Sequence, residues 1–198
     1  SDNLKMMNDA AVLGAQYFPL VVGSLPQGSR NMNETRKQVL DALPQLLEHA
    51  KSIGLKLAIE PMHPMYAADR GCFNTMANAL DVCDAVEGIT RDPFLGILFD
   101  VYHTWWDPNL VHEIARAGTQ NRIFGFHVND WLNPTKDILS DRGMMGDGII
   151  DIRGIRGHVE AAGFDGPVEV EIFSEKTWWK NPIEETLKTC VERFSNVV

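Results

Sequence analysis

The chain of 198 residues has only three cysteines, no long apolar run and no block of positive charge, and each shortage removes a class of protein. Cys72, Cys83 and Cys190 are odd in number, scattered and without CxxC spacing, so neither a disulfide framework nor a thiolate zinc site is expected, and all three read as reduced thiols. No apolar stretch approaches the ~18 residues needed to cross a bilayer. Ser1 to Ala10 show neither the basic start nor the apolar middle of a signal peptide, and the expectation is a cytoplasmic protein that does not enter a membrane. Lys and Arg number 18 against 27 Asp and Glu, giving a formal charge of −9. The basic residues are dispersed, whereas a duplex-binding surface needs clustered cations to displace phosphate counterions, so nucleic acid is not an expected partner. What remains is ordinary globular composition, 44% hydrophobic and 23% charged, sufficient for one domain with a real core.

Short apolar runs with β-branched or aromatic content predict strands at Gln16 to Val22, Lys56 to Glu60, Phe94 to Asp100, Ile123 to Val128 and Pro167 to Ile172. Most are continuous runs, as in parallel strands covered on both faces. Helical spacing lies between them. Asn33 is the expected N-cap of a helix carrying Val39, Leu40, Leu43, Leu46, Leu47 and Ile53, closed by Gly54. Further helices are expected at Leu4 to Leu13, Thr75 to Val86, Asn109 to Ala117, Ile152 to Ala162 and Pro182 to Phe194. Alternation of strand and helix predicts an α/β fold with a parallel sheet. The connections from helix to strand are short and those from strand to helix are long, which places function at the carboxyl ends of the strands.

Four of the five expected strands end in, or just before, a metal-capable side chain: Glu60, Asp100, His127 and Glu171. Parallel strands gather their carboxyl ends, so residues distant in sequence become one cluster. Three carboxylates and an imidazole suit one divalent ion, Mn²⁺, Mg²⁺, Co²⁺ or Zn²⁺. Each residue alone has an ordinary explanation: Asp100 could accept hydrogen bonds from its own loop, and His127 could be a satisfied core histidine. Four such residues on four successive strands do not divide readily into four separate ordinary causes. Glu169 shares a face with Glu171 by strand alternation, and Glu171 is preferred because it stands nearer the carboxyl end.

The segments "LAIEP", "LFDVYH", "FHVND" and "VEVEIFS" together resemble the xylose isomerase-like barrel superfamily, which includes tagatose and psicose 3-epimerases, inosose isomerases and dehydratases, and apurinic-site endonucleases. The resemblance implies a (β/α)8 barrel, one divalent metal on Glu60, Asp100, His127 and Glu171, and acid/base roles for Glu60 and Glu171. It also implies that His103 and Arg142 touch substrate oxygens. The ordinary alternatives are a loop hydrogen bond for His103 and an ion pair of Arg142 with Asp141, Asp147 or Asp151. His63 and Arg70, in the loop after Glu60, are further candidates. Trp105, with Trp106, Trp131, Trp178 and Trp179, either packs beneath loops or walls a sugar ring. A complete barrel takes about 250 residues, and counting back from the last strand makes Gln16 to Val22 the fourth. Residues 1–198 are therefore expected to form the C-terminal part of a single barrel domain lacking its first three βα units.

The function the resemblance implies is a metal-dependent sugar or sugar phosphate isomerase/epimerase, moving a proton through an enediolate of a ketose or keto-polyol. A lyase or dehydratase using the same first proton transfer is the enzymatic alternative, and a barrel remnant that binds without turnover is the non-catalytic one. An endonuclease needs a basic groove, which the charge opposes. A small carbohydrate is the expected partner, with a homodimer as the commonest assembly.

Overall fold

The computed structural model describes residues 2–198. Five parallel strands lie side by side in chain order: β1 (Tyr17–Leu20), β2 (Lys56–Ile59), β3 (Leu95–Asp100), β4 (Ile123–Val128) and β5 (Val168–Val170). A sheet whose spatial order never reverses is the arrangement of a (β/α) barrel, not of a doubly wound sheet with a switch point. The helices are α1 (Asp2–Val12), α2 (Met32–Ile53), α3 (Met76–Glu87), α4 (Val101–Thr104), α5 (Leu110–Thr119), α6 (Ile152–Ala161) and α7 (Ile183–Asn196), with 3₁₀ turns at Pro64–Tyr66 and Trp178–Lys180. Cys72, Cys83 and Cys190 are free thiols, as expected.

Local chemistry explains most boundaries. β3 and β4 are buried at every position, which is why their sequences are continuous apolar runs rather than alternating ones. α2 turns Leu43, Leu47 and Ala50 inward and stops where Gly54 adopts the left-handed conformation, φ 70°, returning its N–H to the Ala50 and Lys51 carbonyls. Its N-cap is Asn31, not the expected Asn33: the Asn31 side chain accepts the Glu34 N–H at 3.1 Å. Strands β1 and β5 are shorter than their apolar runs.

Two apolar layers line the sheet. The larger lies between sheet and helices and includes Leu57, Ile59, Leu95, Ile97, Phe99 and Phe126. On the opposite, inner face a small cluster of Ala58, Leu98 and Phe124 packs with Tyr17. A side chain at Gly125 would collide with the Tyr17 ring and with Leu98. Its absence lets Tyr17 reach across the inner face from β1 to donate to Glu169 on β5 at 2.8 Å.

Candidate active site and metal centre

The parallel register decides which side chains meet. Asp100 is the direct partner of His127 across β3 and β4, and His127 is the partner of Glu169 across β4 and β5. Glu60 and Glu171 lie just past the ends of β2 and β5, each still tied to the neighbouring strand by its backbone: Glu60 N–H donates to Leu20 C=O at 3.0 Å and Glu171 N–H to Val128 C=O at 3.2 Å. Glu60, Asp100, His127 and Glu171 thereby offer four ligand atoms that all lie within 4.8 Å of one another. Ligands on opposite sides of one dication at ~2.0–2.3 Å bond lengths would stand no farther apart than this.

Polar satisfaction points the same way. His127 Nδ1 is buried and has no hydrogen-bond partner; Glu171 Oε2 stands 3.6 Å away, too long for a hydrogen bond. His103 Nδ1, Trp105 Nε1, Asn129 Oδ1, Arg142 Nε and Tyr66 Oη are likewise buried and unpartnered. Buried polar atoms are normally satisfied, so a concentration of exceptions at one place marks where a ligand, ion or water belongs. The donor set and these open atoms fit a divalent cation, with three carboxylates favouring hard or borderline ions.

His103 and Arg142 join the cluster. His103 Nε2 is 3.7 Å from Asp100 Oδ2 and 3.8 Å from Glu60 Oε1. Arg142 Nη1 donates to Asp100 Oδ2 at 2.9 Å and to Glu171 Oε2 at 2.6 Å, and its guanidinium lies 4.4 Å over the Tyr102 ring and 5.0 Å over that of Phe173. The pairing of Arg142 with its sequence neighbours is ruled out, because each has other work. Asp141 accepts the Lys136 N–H at 2.7 Å, Asp147 pairs with Arg193 at 2.6 Å, and Asp151 caps α6 at the Gly154 N–H.

The loop after β2 contributes a rim. His63 accepts the Met65 N–H at 3.2 Å and stacks on Trp131 at 4.7 Å, while Trp131 meets Tyr102 at 4.7 Å and Trp105 at 5.8 Å. Arg70 is not drawn into the cluster; it is exposed, 5.5 Å over the Tyr66 ring. Trp178 and Trp179 are engaged elsewhere, donating to Asp147 and to the Ile172 carbonyl. Sequence reasoning passed over Asn129 and Asp130. The Asp130 carboxylate collects the N–H groups of Trp131, Gly146, Gly148 and Ile150 and so shapes the loop that carries Arg142.

The electrostatics follow from burial. Glu60 is pushed up to about 8 by desolvation and then by the negative charges of Asp100 and Glu171. Burial and the nearby Arg142 guanidinium hold His103 well below the usual imidazole value, so it is neutral. Burial pulls His127 down too, but Glu171, Asp100 and Glu60 outweigh it and raise its affinity for a proton.

A sheet wound in one direction, with a candidate metal centre at its strand ends and an aromatic rim above it, defines a (β/α)-barrel protein with an enzyme-like site. The chain belongs to the xylose isomerase-like TIM barrel family, whose model matches residues 1–192. It is 26% identical over 196 residues to an inosose isomerase of Halalkalibacterium halodurans, covering 98% of this chain and 65% of that protein. Among solved structures it superposes on protein SMc04130 of Sinorhizobium meliloti 1021 with TM-score 0.94 and 52% identity, covering 99% of this chain and 70% of that one. The IolI protein with a bound zinc atom gives TM-score 0.77 and 25% identity over 100% of this chain and 68% of that one. The chain thus spans slightly under two thirds of the length of the curated relative.

Proposed function

We propose that this chain carries the proton-transfer site of a divalent-metal-dependent carbohydrate isomerase or epimerase acting on a ketose or keto-polyol. The observation that carries the reading is the meeting of two carboxylates, Glu60 and Glu171, from β2 and β5 with Asp100 and His127 between them. The inosose isomerase relative and the zinc in the IolI protein support it.

Glu60, Asp100, His127 and Glu171 would hold the ion. When bound, it supplies Lewis acidity that acidifies the C–H between a substrate carbonyl and its neighbouring hydroxyl. Glu60 is the group that accepts that proton: burial and like charges raise its proton affinity, and a neighbouring dication lowers it again. Glu171, partly exposed on the far edge of the cluster, returns a proton from the other side. Arg142 is placed to stabilise negative charge as it develops on a substrate oxygen, and neutral His103 to exchange a hydrogen bond with it. The rim of His63, Trp105 and Trp131 offers flat faces to a sugar, with the buried Tyr102 ring behind Trp131.

A panel of ketoses, keto-inositols and their phosphates, incubated in deuterated water with and without EDTA, tests the reading. Metal-dependent deuterium uptake next to a carbonyl, accompanied by an isomer or epimer, is the expected outcome. An unsaturated product would make the enzyme a lyase, and absence of exchange from the whole panel would contradict proton transfer.

A further inference from the structure

Asn129 stands two residues beyond His127 in "HVND", and the proton-transfer scheme leaves it without a task. Both it and Asp100 are fully buried, at 0% exposure. Asn129 Nδ2 donates to Asp100 Oδ1 at 3.0 Å, and the Tyr102 backbone N–H donates to the same oxygen at 2.8 Å. The other oxygen, Oδ2, faces Arg142 and His103. The two oxygens of one carboxylate are therefore divided, one tied to the scaffold and one turned to the cluster. The amide can be oriented only this way, because the flipped side chain would set its carbonyl oxygen against a carboxylate oxygen, two acceptors with no proton between them.

We propose that Asn129 is a positioning residue that makes Asp100 a one-oxygen ligand, an inference that rests on the ligand set proposed above. A free carboxylate can turn to give an ion both oxygens. Here Oδ1 would first have to break two charge-assisted hydrogen bonds in a fully buried setting, where such bonds are strongest. The fixed carboxylate plane holds the coordination number down and favours ions content with few ligands, such as Zn²⁺, over those that accept two oxygens of one carboxylate, such as Ca²⁺. Groups that hold a ligand from behind typically contribute about 10–100-fold in metal affinity.

Protein stripped with EDTA and titrated with Co²⁺, followed by visible absorption, tests this directly. Asn129→Leu removes the donor at similar volume, and Asn129→Ala does so without the risk of overpacking. Circular dichroism of the metal-free proteins shows which variant is folded for the comparison. The expected result is Co²⁺ binding about 10–100-fold weaker than in the unaltered protein, with absorption bands displaced at saturation as Asp100 brings in its second oxygen. Saturated bands that superimpose on those of the unaltered protein overturn the role of Asn129, whatever the affinity, since a purely structural defect lowers occupancy without changing the ligand field. Failure of the unaltered protein to bind Co²⁺ overturns instead the ligand set on which this role depends.

Discussion

Two buried arginines, one at each end of the sheet, show how differently the same charge can be employed. Arg122, 0% exposed at the entrance to β4, donates to the Leu95 and Gly88 carbonyls and lies 3.5 Å from Glu87, which is itself paired with Lys51 at 2.9 Å. Lys51 and Arg122 face Glu87 there, and two backbone carbonyls accept from the guanidinium. At the carboxyl end Arg142 is also buried, yet faces three carboxylates, Glu60, Asp100 and Glu171. With all three ionised, one guanidinium leaves two negative charges uncompensated, the charge of one divalent ion. A network anchored on its own carbonyls and ion pairs holds a fold together; one that, fully ionised, is short of positive charge is built to take something in.

The largest effect expected at the carboxyl end is kinetic. Glu60→Gln should lower exchange of the substrate proton with solvent by about 10²–10⁴-fold, with substrate binding still measurable by calorimetry; retained exchange would remove Glu60 from proton abstraction. The arginines can then be contrasted directly. Arg122→Met should cost about 1–3 kcal/mol in chemical denaturation, by leaving the Leu95 and Gly88 carbonyls without their donor, and leave metal affinity unchanged. Arg142→Met should instead lower turnover without weakening metal binding, since it removes a positive charge beside the ion. If the two substitutions had the same profile, the contrast between the two ends would be lost.

A further effect separates the ends by pH. Glu60 has its folded value raised to about 8 from 4.5, so between these limits the folded chain keeps a proton that the unfolded chain releases. Stability of the EDTA-treated protein should therefore fall as pH rises from 4.5 towards 8, by at most about 1.4 kcal/mol per pH unit, and level off above. Thermal melts across that range should show the slope, and a saturating divalent ion should flatten it. Least of all, Tyr17→Phe should cost about 0.5–1.5 kcal/mol by removing the bond to Glu169, read as a modest drop in melting temperature with metal binding intact.

The strand ends were legible in the sequence because buried parallel strands write themselves as continuous apolar runs, so a charged residue closing one stands out. Gly54 was legible as a stop because a left-handed residue ends α2 there. The cap of that helix was not, since Asn31 and Asn33 offer the same chemistry two positions apart and only the path of the chain chooses between them. α4 escaped notice because four residues carry no periodicity; it exists because Asp100 caps it through the Tyr102 N–H. Glu171 was preferred to Glu169 for standing nearer the carboxyl end, and register shows how the two differ: Glu169 pairs beside His127 and is held by Tyr17, whereas Glu171 lies two residues farther along, among the candidate ligands. The partner of Arg142 was hidden for a different reason. Three aspartates stand nearer in sequence, and only the fold shows that all three are occupied. Asn129 carries no charge and follows no motif, yet strand alternation from His127 would have placed it on the same face.

The central claim is that Glu60, Asp100, His127 and Glu171 share a single divalent ion. Equilibrium dialysis of the stripped protein against Zn²⁺ or Mn²⁺, beside Asp100→Ala and His127→Ala, tests it most directly. One ion bound per chain, with occupancy lost in both variants, is the predicted result. No ion bound, or one bound equally well without Asp100 and His127, would contradict it.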